Sequence, residues 1–254
     1  MTLDDEGSAA IVADRLHKRY RRNVAVEEVS LRVAPGEIFG ILGTNGAGKT
    51  TTVEMIAGLR RPDRGRARVL GLDPAQDRAA VRQVLGVQLQ EAQLHGSLTV
   101  EELIRLYRGF YAAPRPAGEL IELVGLGEQR RTRFDKLSGG QQQRLSIALA
   151  LAGRPRVVIL DELTTGLDPS ARRRMWGTVE RLRDEGCTIL LVSHAMEEVE
   201  VLCDRVALLD AGRVVALDTP AGLVARAGAE NLDDAFVALT GKQLEEHDEE
   251  EWVS

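Results

Sequence analysis

Short apolar runs, separated by glycine, proline and charged residues, recur along most of the chain. The alternating segment VSLRV at 29–33 predicts a half-exposed strand, and the residues from 10 onward predict a partner strand across a turn at 21–23. Continuous apolar runs predict fully buried strands at EIFGIL (37–42), VVILD (157–161) and TILLVS (188–193). We therefore expect an N-terminal antiparallel β part followed by a more deeply buried sheet.

Helical spacing of apolar residues follows several of these strands. It begins near residue 48, near 75–83, at 169–184 and from 195. Further strands are predicted at 65–73, 84–89, 205–209 and 213–217. Strands that alternate with helices indicate an α/β fold whose mostly parallel sheet is covered on both faces.

The middle of the chain differs, because TVEELIRLYRGFY at 99–111 and GELIELVGLG at 118–127 both have helical periodicity. We interpret residues 91–153 as a helical subdomain inserted into a domain that spans 10–230. NLDDAFVALTG at 231–241 predicts a short amphipathic helix, and the charged run LEEHDEEEW at 244–252 predicts a solvated tail. Residues 231–254 thus form a C-terminal helix and an acidic tail.

Composition and charge argue against some classes of function. The 254 residues are 44% hydrophobic, enough for a sizeable core, and the formal net charge of −6 argues against a nucleic-acid partner bound through general electrostatics. Cys187 and Cys203 lie in apolar runs, which predicts buried free thiols. The N-terminus is acidic, without a basic region leading into an apolar run, and no stretch approaches the length of a membrane helix. We expect a cytosolic chain that reaches a membrane only through a partner.

A phosphate-binding motif is present at 43–50, where GTNGAGKT matches G-x-x-x-x-G-K-[ST] between a predicted strand and a predicted helix. The glycines allow a tight loop with inward-pointing amides, Lys49 can reach the β- and γ-phosphates, and the Thr50 hydroxyl can ligate Mg²⁺. The alternative is an ordinary glycine-rich turn. The predicted nucleotide-binding residues of this loop are Gly43, Thr44, Asn45, Gly46, Ala47, Gly48, Lys49, Thr50 and Thr51.

Two carboxylates end the strand VVILD, at the edge of the sheet where ligands of open α/β sheets bind. Asp161 is a candidate Mg²⁺ ligand, and Glu162 is a candidate base for a water that attacks the γ-phosphate. His194 follows another buried strand, which we expect to neighbour the Asp161 strand, so its imidazole could contact the γ-phosphate. Each has a simpler alternative, since strand-end carboxylates are commonly solvated and a lone histidine is often a capping or surface residue.

A second anion-binding helix start is predicted in KLSGGQQQRLSIALALAG at 136–153. Ser138 can cap the helix, while Gly139 and Gly140 allow a ligand to approach the backbone closely. The chain already has a phosphate loop, so the sequence poses the question of what this second site binds.

Taken together with LSGGQ, these motifs resemble the nucleotide-binding domain of ATP-binding cassette transporters, over residues 10–240. The resemblance implies a P-loop NTPase fold and hydrolysis of ATP with Mg²⁺. It makes Gln141 part of the signature, likens Gln90 to the glutamine that touches Mg²⁺ and the membrane subunit, and likens Asp168 to the aspartate of the dimer-facing loop. Tyr20 resembles the adenine-stacking aromatic, although a tyrosine near a strand end is commonly just packing.

One departure from the family pattern is Leu163, which stands where a proline usually follows the catalytic glutamate. Proline there would only pre-set a backbone angle that leucine can also adopt, so we expect activity to survive.

The resemblance also answers the question posed by the second site. In the family, two cassettes stack head to tail, and the signature of one covers the ATP in the phosphate loop of the other. The resemblance implies a second nucleotide-binding domain, in a homodimer, and a separate transmembrane permease subunit that holds this chain at the cytoplasmic face of the membrane. LTVEELIRLYRGFYAA, GRVVALDTPAGLVA and LDDAFVALTG resemble cassettes of bacterial drug and antibiotic exporters. The alternative is a soluble cassette ATPase in translation, repair or cofactor assembly.

Overall fold

The N-terminal β part is a three-stranded antiparallel sheet. The computed structural model describes residues 9–89 and 94–242. In it, β1 (Ile11–Tyr20) lies between β2 (Asn23–Val33) and β4 (Arg64–Val69). Arg21 adopts a left-handed conformation with φ 51° at the turn between β1 and β2, so the turn lies where the sequence predicts it.

The main sheet has six strands in the order β5-β6-β7-β3-β8-β9. Neighbouring strands are parallel except for β8 and β9, which form an antiparallel pair at one edge. The predicted mostly parallel sheet is thus confirmed. Its strands are β3 (Ile38–Leu42), β5 (Leu85–Gln88), β6 (Val157–Asp161), β7 (Thr188–Val192), β8 (Arg205–Asp210) and β9 (Arg213–Asp218).

Helices connect and cover these strands. They are α1 (Lys49–Ile56), α2 (Arg78–Val84), α3 (Val100–Arg108), α4 (Ala117–Leu123), a 3-10 turn (Phe134–Lys136), α5 (Gly139–Ala150), α6 (Pro169–Asp184), α7 (Met196–Leu202), α8 (Pro220–Ala227) and α9 (Leu232–Thr240). The described regular elements between residues 94 and 153 are helices, in which α5 packs against α3 and α4. Helix α2 starts later than the sequence predicts, because the Asp73 carboxylate accepts a hydrogen bond from the amide of Ala75 and holds a turn there.

Alternate residues of each buried strand enter different cores. Ile38 and Leu42 of β3 belong to the core that also receives α3, α4 and α5, whereas Phe39 and Ile41 belong to the core beneath the N-terminal sheet. The main sheet is therefore covered on both faces. Both cysteines are free and buried, as expected. Among the described residues, no helix combines the length and the apolar character needed to cross a bilayer.

Candidate active site

The phosphate loop joins β3 to α1 by a backbone that only glycine adopts easily. Gly46 and Gly48 have φ 78° and 98°. A Cβ atom on Gly48 would stand 2.4 Å from the carbonyl oxygen of Ala25, so that position also has no room for a side chain. Among the described residues, no side chain caps the start of α1 at Gly48. The first amides of this helix therefore suit an anion.

Lys49 lies against the same loop. Its Nζ donates to the carbonyl oxygens of Gly43 at 2.7 Å and Thr44 at 3.1 Å. Burial lowers the pKa of Lys49, while the charges of Glu162 and Asp161 raise it. The ammonium group is thus held against the phosphate loop, where a polyphosphate could replace the carbonyls as its partner.

Asp161 and Glu162 lie where β6 ends, as the sequence predicts. Asp161 is 3% exposed, and burial followed by the charge of Glu162 raises its pKa to about 6. Glu162 has a left-handed backbone with φ 53°. Its amide donates to the carbonyl of Val192 and its own carbonyl accepts from Gln143, both at 2.9 Å. Contacts from two elements hold this strained backbone in place.

His194 faces Glu162, because β7 pairs directly with β6. The distance from His194 Nδ1 to Glu162 Oε1 is 3.7 Å. The interaction with the Glu162 carboxylate raises the pKa of His194 above its ordinary value, while burial opposes that shift. The predicted neighbouring of the two strands is confirmed, and it brings the candidate base and the histidine together.

The second helix start is built differently. Ser138 caps α5 in a capping box, in which its hydroxyl accepts from the Gln141 amide at 3.3 Å and the Gln141 side chain accepts from the Ser138 amide at 2.9 Å. A Cβ on Gly140 would stand 2.8 Å from the Leu167 side chain, whereas one on Gly139 would have nothing within 4 Å. Packing explains the glycine at 140, but it does not explain the one at 139.

A groove of about 590 Å³ runs along this helix start to the residues that follow β6. Asp168 lines the groove and also caps α6, since its carboxylate accepts from the amides of Ser170 and Ala171 at 2.9 Å. These two hydrogen bonds lower the pKa of Asp168, the one from Ala171 most. Leu163 is fully buried in the core that also receives α3, α4 and α5.

Tyr20 stands 36% exposed at the end of β1. The guanidinium carbon of Arg60 lies 5.1 Å from its ring centroid, and Arg60 is held in turn by Glu54 at 2.5 Å. Its predicted contact with adenine stays a prediction. Gln90 lies outside the described residues, so its predicted contacts with Mg²⁺ and a membrane subunit stay predictions as well.

Sequence reasoning missed several polar side chains around the site. Gln88 accepts from the Asp161 amide at 3.1 Å, and Gln143 donates to the Glu162 carbonyl. Glu198 is 1% exposed on α7. A charged residue at the helical spacing of the apolar Ala195 and Leu202 was a signal that could have revealed Glu198, whereas the two glutamines gave none.

A phosphate loop between strand and helix, with carboxylates at the end of a strand in the same sheet, defines a P-loop NTPase. The family model described as ABC transporter matches residues 26–165. The chain belongs to this family, and it is an ATP-binding protein of the ABC ATPase type.

Relatives and solved structures agree with this assignment. The chain is 37% identical over 239 residues to the linearmycin resistance ATP-binding protein LnrL of Bacillus subtilis (strain 168), covering 92% of this chain and 76% of that protein. It is 43% identical over 223 residues to the Nod factor export ATP-binding protein I of Paraburkholderia xenovorans (strain LB400), covering 85% and 73%. It also resembles the dimeric post-hydrolysis ATP-binding cassette MJ0796 bound to ADP and Pi, with TM-score 0.75, 25% identity and coverage of 82% and 98%.

Proposed function

We propose that this protein is the ATPase motor of an ABC exporter. It lies at the cytoplasmic face of the membrane, where it is coupled to a separate transmembrane permease subunit. The observation that carries the proposal is the convergence of Lys49, Asp161, Glu162 and His194 at one edge of the main sheet. The names of the relatives, which concern resistance and export, support the direction of transport.

In the proposed reaction, the Glu162 carboxylate orients and deprotonates a water that attacks the γ-phosphate of ATP. Lys49 and the uncapped amides of α1 hold the phosphates, and His194 contacts the γ-phosphate while its imidazole stays paired with Glu162. As the water oxygen bonds to the γ-phosphorus, the bond from that phosphorus to the bridging oxygen breaks and ADP leaves, and the proton taken by Glu162 passes to the released phosphate or to solvent.

Mg²⁺ fits the oxygen donors at this edge. The described residues contain no cluster of three histidine, cysteine or acidic side chains that could form an all-protein metal site. Mg²⁺ needs no such cluster, since it usually keeps waters and binds one or two protein oxygens together with phosphates. Thr50 and Asp161 would supply those oxygens, joined by Gln90 if its predicted role holds. When bound, the ion would neutralise charge on the phosphates.

The signature end is assigned to a second copy of the chain. Space around Gly139 is open and the groove beside it is exposed, so phosphates held by another molecule could approach the start of α5. The Ser138 oxygen accepts a hydrogen bond within its own helix, which leaves the hydroxyl proton to donate to a phosphate. Ser138, Gly139, Gly140, Gln141 and Asp168 would thus complete a site in a head-to-tail dimer.

Within this arrangement, residues 10–230 form the ATP-binding domain and 91–153 its helical insert. Gln90 and the insert would dock the permease subunit, while 231–254 would form a C-terminal helix and an acidic tail. Changes in the insert should weaken coupling to transport more than ATP binding.

The catalytic assignment is tested by Glu162→Gln. This variant should bind ATP normally and hydrolyse it at least about 10²-fold more slowly, the scale of a general-base contribution. ATP turnover and equilibrium nucleotide binding are measured on the same preparation. Near-normal turnover would reject Glu162 as the base.

The dimer assignment is tested with two lesions in a Glu162→Gln background, in which bound ATP accumulates. Lys49→Ala damages the phosphate loop, and Ser138→Arg blocks the signature end with a bulky side chain. Each homodimer then has two defective sites. A mixed dimer has one intact site, formed by the phosphate loop of the Ser138 variant and the signature of the Lys49 variant.

Trapped ATP in the mixture should exceed the average of the two separate proteins. Subunit exchange is verified with tagged chains, and a hybrid of unmodified and doubly damaged chains shows the outcome without complementation. A hybrid of an unmodified chain with a Lys49→Ala chain shows whether a single intact site traps ATP. If it does and the chains exchange, an absence of extra ATP means that α5 does not serve a partner's nucleotide.

A further inference from the structure

Glu198 is a carboxylate enclosed in the protein beside the candidate active site. It lies on α7, four residues after His194, and only 1% of it is exposed. Burying a carboxylate costs free energy, and an apolar side chain of similar size is often at least as stable in such a place. Stability alone therefore does not account for a glutamate here.

Three hydrogen-bond donors from separate elements converge on its carboxyl group. The Trp176 Nε1–H on α6 donates to Oε1 at 3.4 Å. Burial raises the pKa of Glu198, and side-chain hydrogen bonding with Ser193 and Thr164 opposes that shift. Both of these residues are nearly as buried as Glu198, at 2% and 5% exposure. Satisfied in this way, the carboxyl group joins segments that are distant in the sequence.

Two of these donors belong to the segments that carry the candidate catalytic side chains. Thr164 lies two residues after Glu162, and Ser193 directly precedes His194. Movement of either hydroxyl would therefore shift the backbone that sets the 3.7 Å separation between Glu162 and His194. Trp176, by contrast, lies within α6 and leads to neither catalytic side chain.

We propose that Glu198 is a positioning residue for ATP hydrolysis, which fixes Glu162 and His194 relative to each other by holding the hydroxyls of Thr164 and Ser193. The proposal rests on the catalytic roles given to Glu162 and His194 under the proposed function. Glu198 itself does not touch the nucleotide.

The test compares Glu198→Gln, Thr164→Val and Ser193→Ala with the matched control Trp176→Phe. Glu198→Gln replaces one accepting oxygen by an amide that donates, and each of the other changes removes one donor at the same carboxyl group, but only Trp176→Phe leaves both catalytic segments held. Glu198→Gln should lower kcat between about tenfold and about hundredfold, the cost of a misplacement of about 1 Å, with KM for ATP unchanged. Trp176→Phe should lower the melting temperature and leave kcat near normal.

Double variants show whether the contacts act as one unit. Adding Thr164→Val or Ser193→Ala to Glu198→Gln should reduce kcat less than the product of the separate effects, because the contact has already been lost. If Glu198→Gln does not fold, the single hydroxyl variants measured against Trp176→Phe still decide the question.

The proposal would be overturned if Trp176→Phe lost as much kcat as the other three variants, or if the effects in the double variants were strictly multiplicative. Glu198 would then have a structural role only. Glu162→Gln separates the two levels of inference. If that variant has lost hydrolysis while Glu198→Gln turns over normally, only the positioning role fails. If Glu162→Gln hydrolyses ATP normally, the proposed function fails first.

Discussion

Two helices of this protein begin with glycine-rich segments, but the two starts are built in opposite ways. At α1, Gly48 supplies a left-handed turn without a capping side chain, and Lys49 turns back onto the loop. At α5, Ser138 and Gln141 satisfy each other's amides, and the open space lies at Gly139. The first start relies on groups from its own chain to receive an anion, whereas at the second start the cap uses the amides of Ser138 and Gln141 and the approach to Gly139 is open.

This difference indicates that the starts of α1 and α5 have different roles at the nucleotide. An end with uncapped amides and an adjacent ammonium can hold a polyphosphate by itself. An end that is already capped offers a hydroxyl proton, the amides that the cap does not use and a close backbone approach, which suffice to complete a site that another chain has formed. Binding of ATP should therefore depend on the start of α1, and hydrolysis should depend on the starts of both α1 and α5.

The largest effect is expected at α1. Lys49→Ala removes an ammonium that would make charge-assisted contacts with phosphate, so ATP affinity should fall between about tenfold and about hundredfold, with hydrolysis lost. Calorimetry with the isolated protein measures the affinity. Lys136→Ala, which removes an exposed lysine just before the second helix start, should bind ATP normally. Equal losses in both variants would remove the distinction between the two ends.

Much of this architecture could be predicted from the sequence, because buried strands and helices have clear periodicities. Continuous runs such as VVILD located β6, and the phosphate motif located the start of α1. The strand before His194 was expected to neighbour the Asp161 strand, and the pairing of β6 with β7 confirms it.

What the sequence did not reveal were contacts that depend on three-dimensional approach. Gln143 is the third glutamine of QQQ, and nothing in that run shows which side chain reaches the Glu162 carbonyl. Nor could the two signature glycines be distinguished, although one is crowded by Leu167 and the other is open. Local pattern encodes burial, but it does not encode which polar partner lies across a fold.

A smaller effect is expected at Gly139. Adding a methyl group in Gly139→Ala should preserve folding, since nothing lies within 4 Å of the new atom, yet it should crowd a partner's nucleotide and lower hydrolysis about tenfold. Gly118→Ala is the matched control, because Gly118 is also exposed, near a helix start and unobstructed. ATP binding by the monomer should be normal in both. Equal turnover in Gly139→Ala and Gly118→Ala would contradict a role of the open space at Gly139 in hydrolysis.

Gln143 links the two regions within one chain, so its loss should have a still smaller effect. Gln143→Leu removes one hydrogen bond to the Glu162 carbonyl, a net contribution of about 1 kcal/mol, and should lower kcat severalfold with ATP affinity unchanged. Gln142→Leu is the control, since its amide donates to Phe134 and Leu137 instead. Stability should fall in both variants, and a kcat loss in both would indicate that the link to Glu162 is not what matters.

The smallest effect concerns the cap of α5. Ser138→Ala should destabilise the protein by about 1 kcal/mol, the typical loss for a helix cap. Thr99→Ala provides a matched comparison, because Thr99 and Glu102 form the same kind of capping box at α3. Chemical denaturation should give similar losses for both variants.

The rate of ATP hydrolysis then distinguishes Ser138→Ala from Thr99→Ala. If the Ser138 hydroxyl also donates to a partner's phosphate, Ser138→Ala should lower turnover by the value of one hydrogen bond to a charged group, about 1.5 kcal/mol or roughly tenfold, while Thr99→Ala should not. Turnover is compared at equal fractions of folded protein, so that the shared loss of stability cancels. A normal rate in both variants would mean that Ser138 serves its own helix alone and that close backbone approach at Gly139 provides what the second end contributes.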